Sequence, residues 1–360
     1  MPTRNEEQST RITKPQTSRT AKARKPPKSP TVNVTKELTR RIADVTMQAT
    51  TRKVEVTKAP TTRIADVTKA PKCKHLLLPR FICEERSGRF GNQMFSFASA
   101  YGIAAHLNRT VLVDRSTRLN KVFTLDAMMV DKCVCGEAKP KHSKKCCSFD
   151  KDLLNLKSSE NYRVGRFLQS WKYFESVVPQ IKKQFTFKRE VFDKARKIIM
   201  KIKTDFLKKH SGINVKPLDG NFTFVGVHVR RGDIIKKKKA NSSYLVAPKE
   251  YIEEAMMYFN KNFTDVLFLV CSDNMTWTTA NVNHSNVVYV RGNSPEVDMS
   301  VLSQCNHTII TVGTFGWWAG FLAGGITLYY KRPIKEGSRL RKQFSDDYSD
   351  YFYSGWIGIE

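Results

Sequence analysis

Apolar residues are sparse and scattered over residues 1–72 and fall into a regular pattern from about residue 80 onward. Phe81–Glu84 is an apolar run of strand length, and Met94–Leu107 spaces apolar and small residues as a helix does. Thr110–Asp114 is a further apolar run that ends in a carboxylate. With the glycine-punctuated turn Gly88–Gln93 between them, these segments read as a strand–turn–helix–strand unit. Residues 131–165 are less regular, and Lys188–His210 predicts a long basic helix. From Phe222 the pattern alternates. Strands are expected at Phe222–Val229, Val266–Cys271, Val287–Val290, Thr308–Val312 and Ile326–Tyr330. Helices are expected at Pro248–Asn260, Pro295–Cys305 and Thr314–Ala323. Such alternation predicts a parallel, doubly wound α/β domain. Ser211-Gly212 and Pro217–Gly220 interrupt it, so the chain divides as residues 73–215 and 216–335, with 336–360 as a tail packing back.

Residues 1–72 are rich in Thr, Lys, Arg and Pro and poor in aromatics, a composition that cannot bury a core. They repeat every 11 residues: Thr39–Ala49, Thr50–Pro60 and Thr61–Pro71 share a register. An 11-residue period also suits a right-handed coiled coil. Few large apolar residues recur, however, and Pro ends two copies, so a disordered, O-glycosylated stalk is expected. The net charge is +29, and this segment holds 17 Lys/Arg against 6 Asp/Glu, leaving +18 on the rest. The globular part therefore favours an anionic ligand. No basic–aromatic alternation marks an RNA-binding surface, and no nucleic acid is expected as a partner.

Eight cysteines (Cys73, Cys83, Cys133, Cys135, Cys146, Cys147, Cys271 and Cys305) are an even set. Asn33, Asn221, Asn241, Asn262, Asn274 and Asn283 begin Asn-x-Ser/Thr sequons and are candidate glycosylation sites. Asn108 and Asn306 also do, beside apolar runs that argue for burial. That density points to a lumenal protein whose cysteines form disulfides. Leu76-Leu77-Leu78 is far short of the ~20 apolar residues a membrane span needs. The expectation is an anchor encoded upstream of this sequence.

Three motifs carry chemistry. His228-Val229-Arg230-Arg231-Gly232-Asp233 follows an apolar strand, where ligands of parallel sheets bind. Guanidinium pairs bidentately with phosphate oxygens and stabilises charge on a leaving diphosphate. Extended geometry turns neighbouring side chains apart, so one arginine should meet the ligand and the other pack beneath it. A plain strand-end salt bridge to Asp233 fits the same residues. Gly313-Thr314-Phe315-Gly316-Trp317-Trp318 opens a helix after a strand, a phosphate-binding geometry that is equally a Thr-capped helix start with aromatic core residues. In Gly88–Gln93, Asn92 and Gln93 suit hydroxyl-rich ligands. Asp114, Asp233, Asp273 and Asp298 are carboxylates available as a base, and spacing does not choose among them. Asp150-Lys151-Asp152 has the spacing of a metal-holding motif but precedes Leu153-Leu154 and reads as a helix start. Cys133, Cys135, His142, Cys146 and Cys147 lack zinc-finger spacing.

Taken in order, residues 88–107, 224–233, 267–277 and 298–325 resemble the galactoside α1,2-fucosyltransferase family. The resemblance implies a GT-B-like α/β fold, two Rossmann-like domains facing across a cleft, with acceptor on the 73–215 side and GDP-fucose on the 216–335 side. It implies inverting transfer of L-fucose from GDP-β-L-fucose to the 2-hydroxyl of a terminal galactose, with no metal or other cofactor. Arg230 would contact the diphosphate, with Asp233 beside it as candidate base. His228, Arg231, Ser272, Asp273, Asp298, Thr314 and Phe315 would complete the donor site, and Asn92 and Gln93 would lie on the acceptor side. Members are anchored in the Golgi membrane with a lumenal catalytic domain, and this chain shows no such anchor helix. A fucosyltransferase with a protein or core-glycan acceptor, and a non-catalytic basic binding protein for glycans or nucleic acid, are the alternatives.

Overall fold

The computed structural model describes residues 78–165, 167–210, 221–235 and 243–360. The expected stalk, Asn33, Cys73, the break at 211–220, Lys236–Lys239 and Asn241 lie outside the described residues. The described residues all belong to one compact unit, Pro71–Glu360.

Two parallel sheets organise this unit. The first contains β1 (Phe81–Glu84), β2 (Thr110–Asp114), β3 (Met128–Val130), β4 (Lys139–His142) and β5 (Tyr162–Gly165), in the order β3-β2-β1-β5-β4. The second contains β6 (Thr223–Val229), β7 (Val266–Ser272), β8 (Val287–Tyr289), β9 (His307–Ile310), β10 (Thr327–Tyr330) and β11 (Ile357–Ile359), in the order β11-β10-β9-β6-β7-β8. Strand order reverses between β1 and β5 in one sheet and between β6 and β9 in the other. In sheets of this kind a crevice opens at that reversal, at the carboxyl ends of the strands. The C-terminal residues return to extend the second sheet, Leu328 pairing with Ile357. The result is α/β and GT-B-like, with two Rossmann-like halves facing across a cleft.

Buried parallel strands must be apolar on both faces, and β6 and β7 are, which is why their sequences read as continuous apolar runs. Helices α1 (Phe90–His106), α2 (Arg189–His210), α3 (Lys249–Asn262), α4 (Met275–Asn281), α5 (Pro295–Ser303) and α6 (Thr314–Ala323) pack around the sheets. α1 begins four residues earlier than its apolar periodicity indicates. The Arg89 carbonyl accepts from the amides of Asn92 (2.9 Å) and Gln93 (3.0 Å), so these two side chains stand in the first helical turn instead of a preceding loop.

The two halves meet where α1 and α6 start. A Cβ on Gly91 would lie 2.8 Å from the Thr314 carbonyl carbon, so only glycine permits this approach. Phe95 packs between Trp317 (ring centroids 4.6 Å apart) and Trp318 (5.0 Å). Both indoles are fully buried, and each N–H is satisfied: Trp318 donates to the Gly91 carbonyl (3.0 Å) and Trp317 to that of Tyr351 (2.7 Å). The tryptophans of the Gly313–Trp318 motif are therefore the joint between the halves.

Cys83 and Cys135 form a disulfide, as do the neighbours Cys146 and Cys147, and Cys133 is also bonded. Cys271 and Cys305 remain thiols. They sit in the core between β7 and α5, where burial raises both above the usual range. The Asp150 side chain caps a short helix by accepting from the Asp152 amide (3.2 Å), so the pair is a helix start. Asn108 and Asn306, expected to be buried, are exposed, because each terminates its apolar neighbour at the surface. Among the described residues no His/Cys/Asp/Glu group is arranged to hold a metal ion, and no helix is long and apolar enough to cross a membrane.

Candidate active site

The second sheet's crevice collects most of the motif residues. β6 delivers His228 at its buried end and Arg230 just past it. β9 leads through Thr311 and Gly313 into α6. The Thr311 hydroxyl stitches the two strand ends together, donating to the His228 carbonyl (3.1 Å) and accepting from the Arg230 amide (3.0 Å). Gly313 takes φ +90°, and a Cβ there would strike the Arg230 guanidinium. The α6 N-terminus has no side-chain cap. Its amides and Arg230 therefore present positive potential to one place.

Arg230 is mostly buried. Its Nε and Nη2 both donate to the Asp233 carboxylate at 3.1 Å, and its guanidinium lies 5.4 Å from the Tyr244 ring centre. Arg89, from the turn before α1, reaches across and pairs with the same carboxylate. Asp233 is thus an anion clamped between guanidiniums from both halves. Burial opposes ionisation, but Arg230 and Arg89 outweigh it and hold the carboxyl well below its usual range. This pairing bears directly on the expectation that Asp233 is the base. A base needs proton affinity near the working pH, and two adjacent cations remove it.

The two arginines diverge as extended backbone requires. Arg231 stacks on Trp277 at 3.6 Å and donates to the Ala247 carbonyl (3.2 Å). Asp273 accepts from the Arg231 amide (2.7 Å) and the Gly232 amide (2.9 Å). That carboxylate holds the loop's shape, and Ser272 Oγ accepts from the Asn274 amide (3.0 Å) and the Thr278 hydroxyl (2.8 Å), steadying Asn274 as the cap of α4. These two residues buttress the crevice through local bonds.

His228 is buried against Phe315, with ring centroids 5.0 Å apart, and its Nδ1 has no partner among the described residues. Burial lowers its pKa to about 4, so the imidazole is neutral at physiological pH. Asp298, in the first turn of α5, accepts from Asn293 (3.2 Å), and burial raises its carboxyl to about 6. From the other half, Asn92 Oδ1 accepts from the Thr314 hydroxyl at 2.7 Å. Gln93 turns back to donate to the Gly88 carbonyl (3.1 Å), so it closes its own turn and is not brought to Thr314.

Sequence reasoning missed Arg89, Thr311, Tyr244 and Trp277. Arg89 had a signal, since it adjoins the Asn92 turn. The others sit in ordinary strand, loop and helix contexts, and only proximity marks them.

The chain matches the family described as glycosyl transferase family 11 over residues 48–360. It is 31% identical over 289 residues to galactoside alpha-(1,2)-fucosyltransferase 1 of Mus musculus, covering 76% of this chain and 71% of the mouse protein. It is 31% identical over 281 residues to galactoside alpha-(1,2)-fucosyltransferase 2 of Sus scrofa, covering 76% and 78% respectively. Among solved structures, fucosyltransferase NodZ from Bradyrhizobium aligns with a TM-score of 0.42 and 17% identity over 67% of this chain and 92% of NodZ. With a cationic crevice at its second sheet and a family match that runs from before β1 to its last residue, this chain belongs to glycosyl transferase family 11.

Proposed function

We propose that the protein transfers L-fucose from GDP-β-L-fucose to the 2-hydroxyl of a terminal galactose, with inversion at the fucose anomeric carbon. The observation that carries the donor reading is Arg230, buried at the β6/β9 crevice beside the uncapped N-terminus of α6. A diphosphate entering there takes over guanidinium bonds now made to Asp233. As the glycosidic bond breaks, negative charge grows on the leaving diphosphate, and Arg230 and the α6 amides stabilise it. Neutral His228 and Phe315 flank the nucleotide. Asp298 offers a carboxylate to the N–H groups of a guanine. Asp233 keeps its pairing with Arg89 when Arg230 turns to the diphosphate, so bond breaking runs ahead of attack, and the acceptor hydroxyl passes its proton late to the departing diphosphate.

The acceptor reading rests on the relatives named for galactoside α1,2-fucosyl transfer. The reaction uses no metal in this reading, because arginines and helix amides supply the positive charge. Sequons and disulfides support a lumenal Golgi setting.

The test is transfer from GDP-fucose to a panel of galactosides by purified protein, with and without a chelator. Linkage and anomeric configuration are read by NMR. An α1,2 product insensitive to chelation is expected, and Arg230→Ala should lower kcat/KM by roughly 10³. Product on another sugar or on a protein hydroxyl would move the acceptor assignment, and activity lost to chelation and restored by Mn²⁺ would end the arginine mechanism.

A further inference from the structure

We propose that Gln169 is a positioning residue that orients the Asn92 side chain for work in the cleft. The inference rests on the fucosyltransferase reading above and names a residue that reading does not use. Gln169 is only 5% exposed, and its Nε2 donates to Asn92 Oδ1 at 3.2 Å. The Thr314 hydroxyl donates to that same oxygen at 2.7 Å. Two donors converging on one oxygen settle which end of the carboxamide faces them. A flipped Asn92 would oppose its own N–H groups to both. With Oδ1 held, Nδ2 lies over Gly88, where any Cβ would collide with it. No described residue accepts from Nδ2. It is the donor left for an oxygen of the ligand.

Gln169 is itself set in place at a cost. The two residues before it, Phe167 (φ 70°) and Leu168 (φ 45°), both adopt left-handed backbone without being glycine. Consecutive strain of this kind persists only where the surroundings over-determine it, and it concentrates at functional sites. Here Leu168 is fully buried and its carbonyl accepts from Ser99 of α1 (2.8 Å). α1 thus carries Asn92 and also anchors the turn that delivers Gln169. The Gln169 amide donates to the Cys146 carbonyl (2.8 Å), and Cys147 Sγ contacts Gln169 Oε1 at 3.6 Å. The neighbouring-cysteine disulfide braces the residue from the side away from Asn92. A side chain needed only as filler would not require a strained turn, a disulfide brace and a directed amide.

The experiment is a double-mutant cycle read on GDP release from GDP-fucose, both as hydrolysis without acceptor and as transfer. Gln169→Met keeps size and removes the donor; Gln169→Asn keeps the amide and withdraws it. The expected result for either is a 10- to 100-fold fall in kcat, roughly the cost of a misplaced catalytic group, with the KM for GDP-fucose changed less than about threefold. In the Asn92→Ala background the same change should have less than a twofold effect, because nothing remains to be oriented. Equal losses in both backgrounds, or an unchanged kcat in either folded variant, would overturn the proposal. The hydrolysis readout decides it independently of acceptor. Hydrolysis without transfer to any galactoside would count against the acceptor reading alone.

Discussion

The two sheets open equivalent crevices, one between β1 and β5 and the other between β6 and β9, and line them with a different balance of charge. The second crevice ends in Arg230, Arg231 and the α6 N-terminus, with Arg89 arriving from the other half. The first ends in Glu84, Glu85 and Asp114. Glu85 accepts from His142 (3.0 Å) and Arg163 (3.3 Å), and Arg86 spans from Asp114 (2.6 Å) toward Glu84 (4.0 Å). Glu84 is the odd member. Its side chain is buried, both carboxyl oxygens lack hydrogen-bond partners among the described residues, and burial raises it to about 8. Topology makes both crevices, but topology does not choose a ligand. A diphosphate is drawn to the second, whereas in the first the carboxylates of Glu85 and Asp114 offset the guanidiniums of Arg163 and Arg86. The lesson is that fold-level symmetry says where to look, and only the terminal residues of each strand say what binds.

The contrast can be attacked from both sides. The largest effect is expected from Arg230→Lys, which keeps the charge but loses the bidentate fork, and should reduce kcat/KM by roughly 10²–10³. Arg86→Lys, the matching change in the first crevice, should cost less than about tenfold. Equal losses in steady-state kinetics would erase the distinction. Asp233→Asn is next: an anchor predicts a drop of about 10–50-fold with the acid limb of the pH–rate profile retained. Disappearance of that limb would restore Asp233 as the base.

Glu84→Gln should act on stability. The fold keeps Glu84 protonated up to about pH 8, whereas the unfolded chain ionises it from about 4.5. Its stability contribution is therefore intact below pH 4.5 and declines as pH rises toward 8. The Gln variant, which cannot ionise, should match the wild type near pH 4 and exceed it at pH 8. The ceiling is roughly 5 kcal/mol at about 1.4 kcal/mol per pKa unit. Urea unfolding at both pH values measures it, and a gap that shrinks with rising pH would refute the buried neutral acid. The smallest effect is expected from Ser272→Ala, which removes the acceptor for the Asn274 amide and the Thr278 hydroxyl and should lower stability by about 1 kcal/mol with little change in KM.

Much of the architecture was legible because buried parallel strands leave a strong mark. The runs at β1, β2, β6 and β7 were placed within a residue or two. The α1 start was misplaced because a glycine-rich turn and an uncapped first helical turn look alike in one dimension. The halves of the site were legible as motifs, but their meeting was not. Asn92 and Thr314 are 222 residues apart, and Arg89 and Asp233 are 144 apart. Asp273 reads as a ligand residue because a carboxylate after a strand often is, and only the fold shows that its Oδ1 also accepts from two backbone amides.

The sequence by itself determined the alternation of strands and helices, the basic character, and the residue types available to an anion, because these depend on composition and local periodicity. Tertiary structure decided the rest. It chose which cysteines pair and which remain core thiols, clamped Asp233 between arginines of both halves, and set Gln169 against Asn92. The physical reason is common to all three: a side chain's protonation, pairing and orientation depend on neighbours brought together only by packing, and desolvation makes those neighbours decisive.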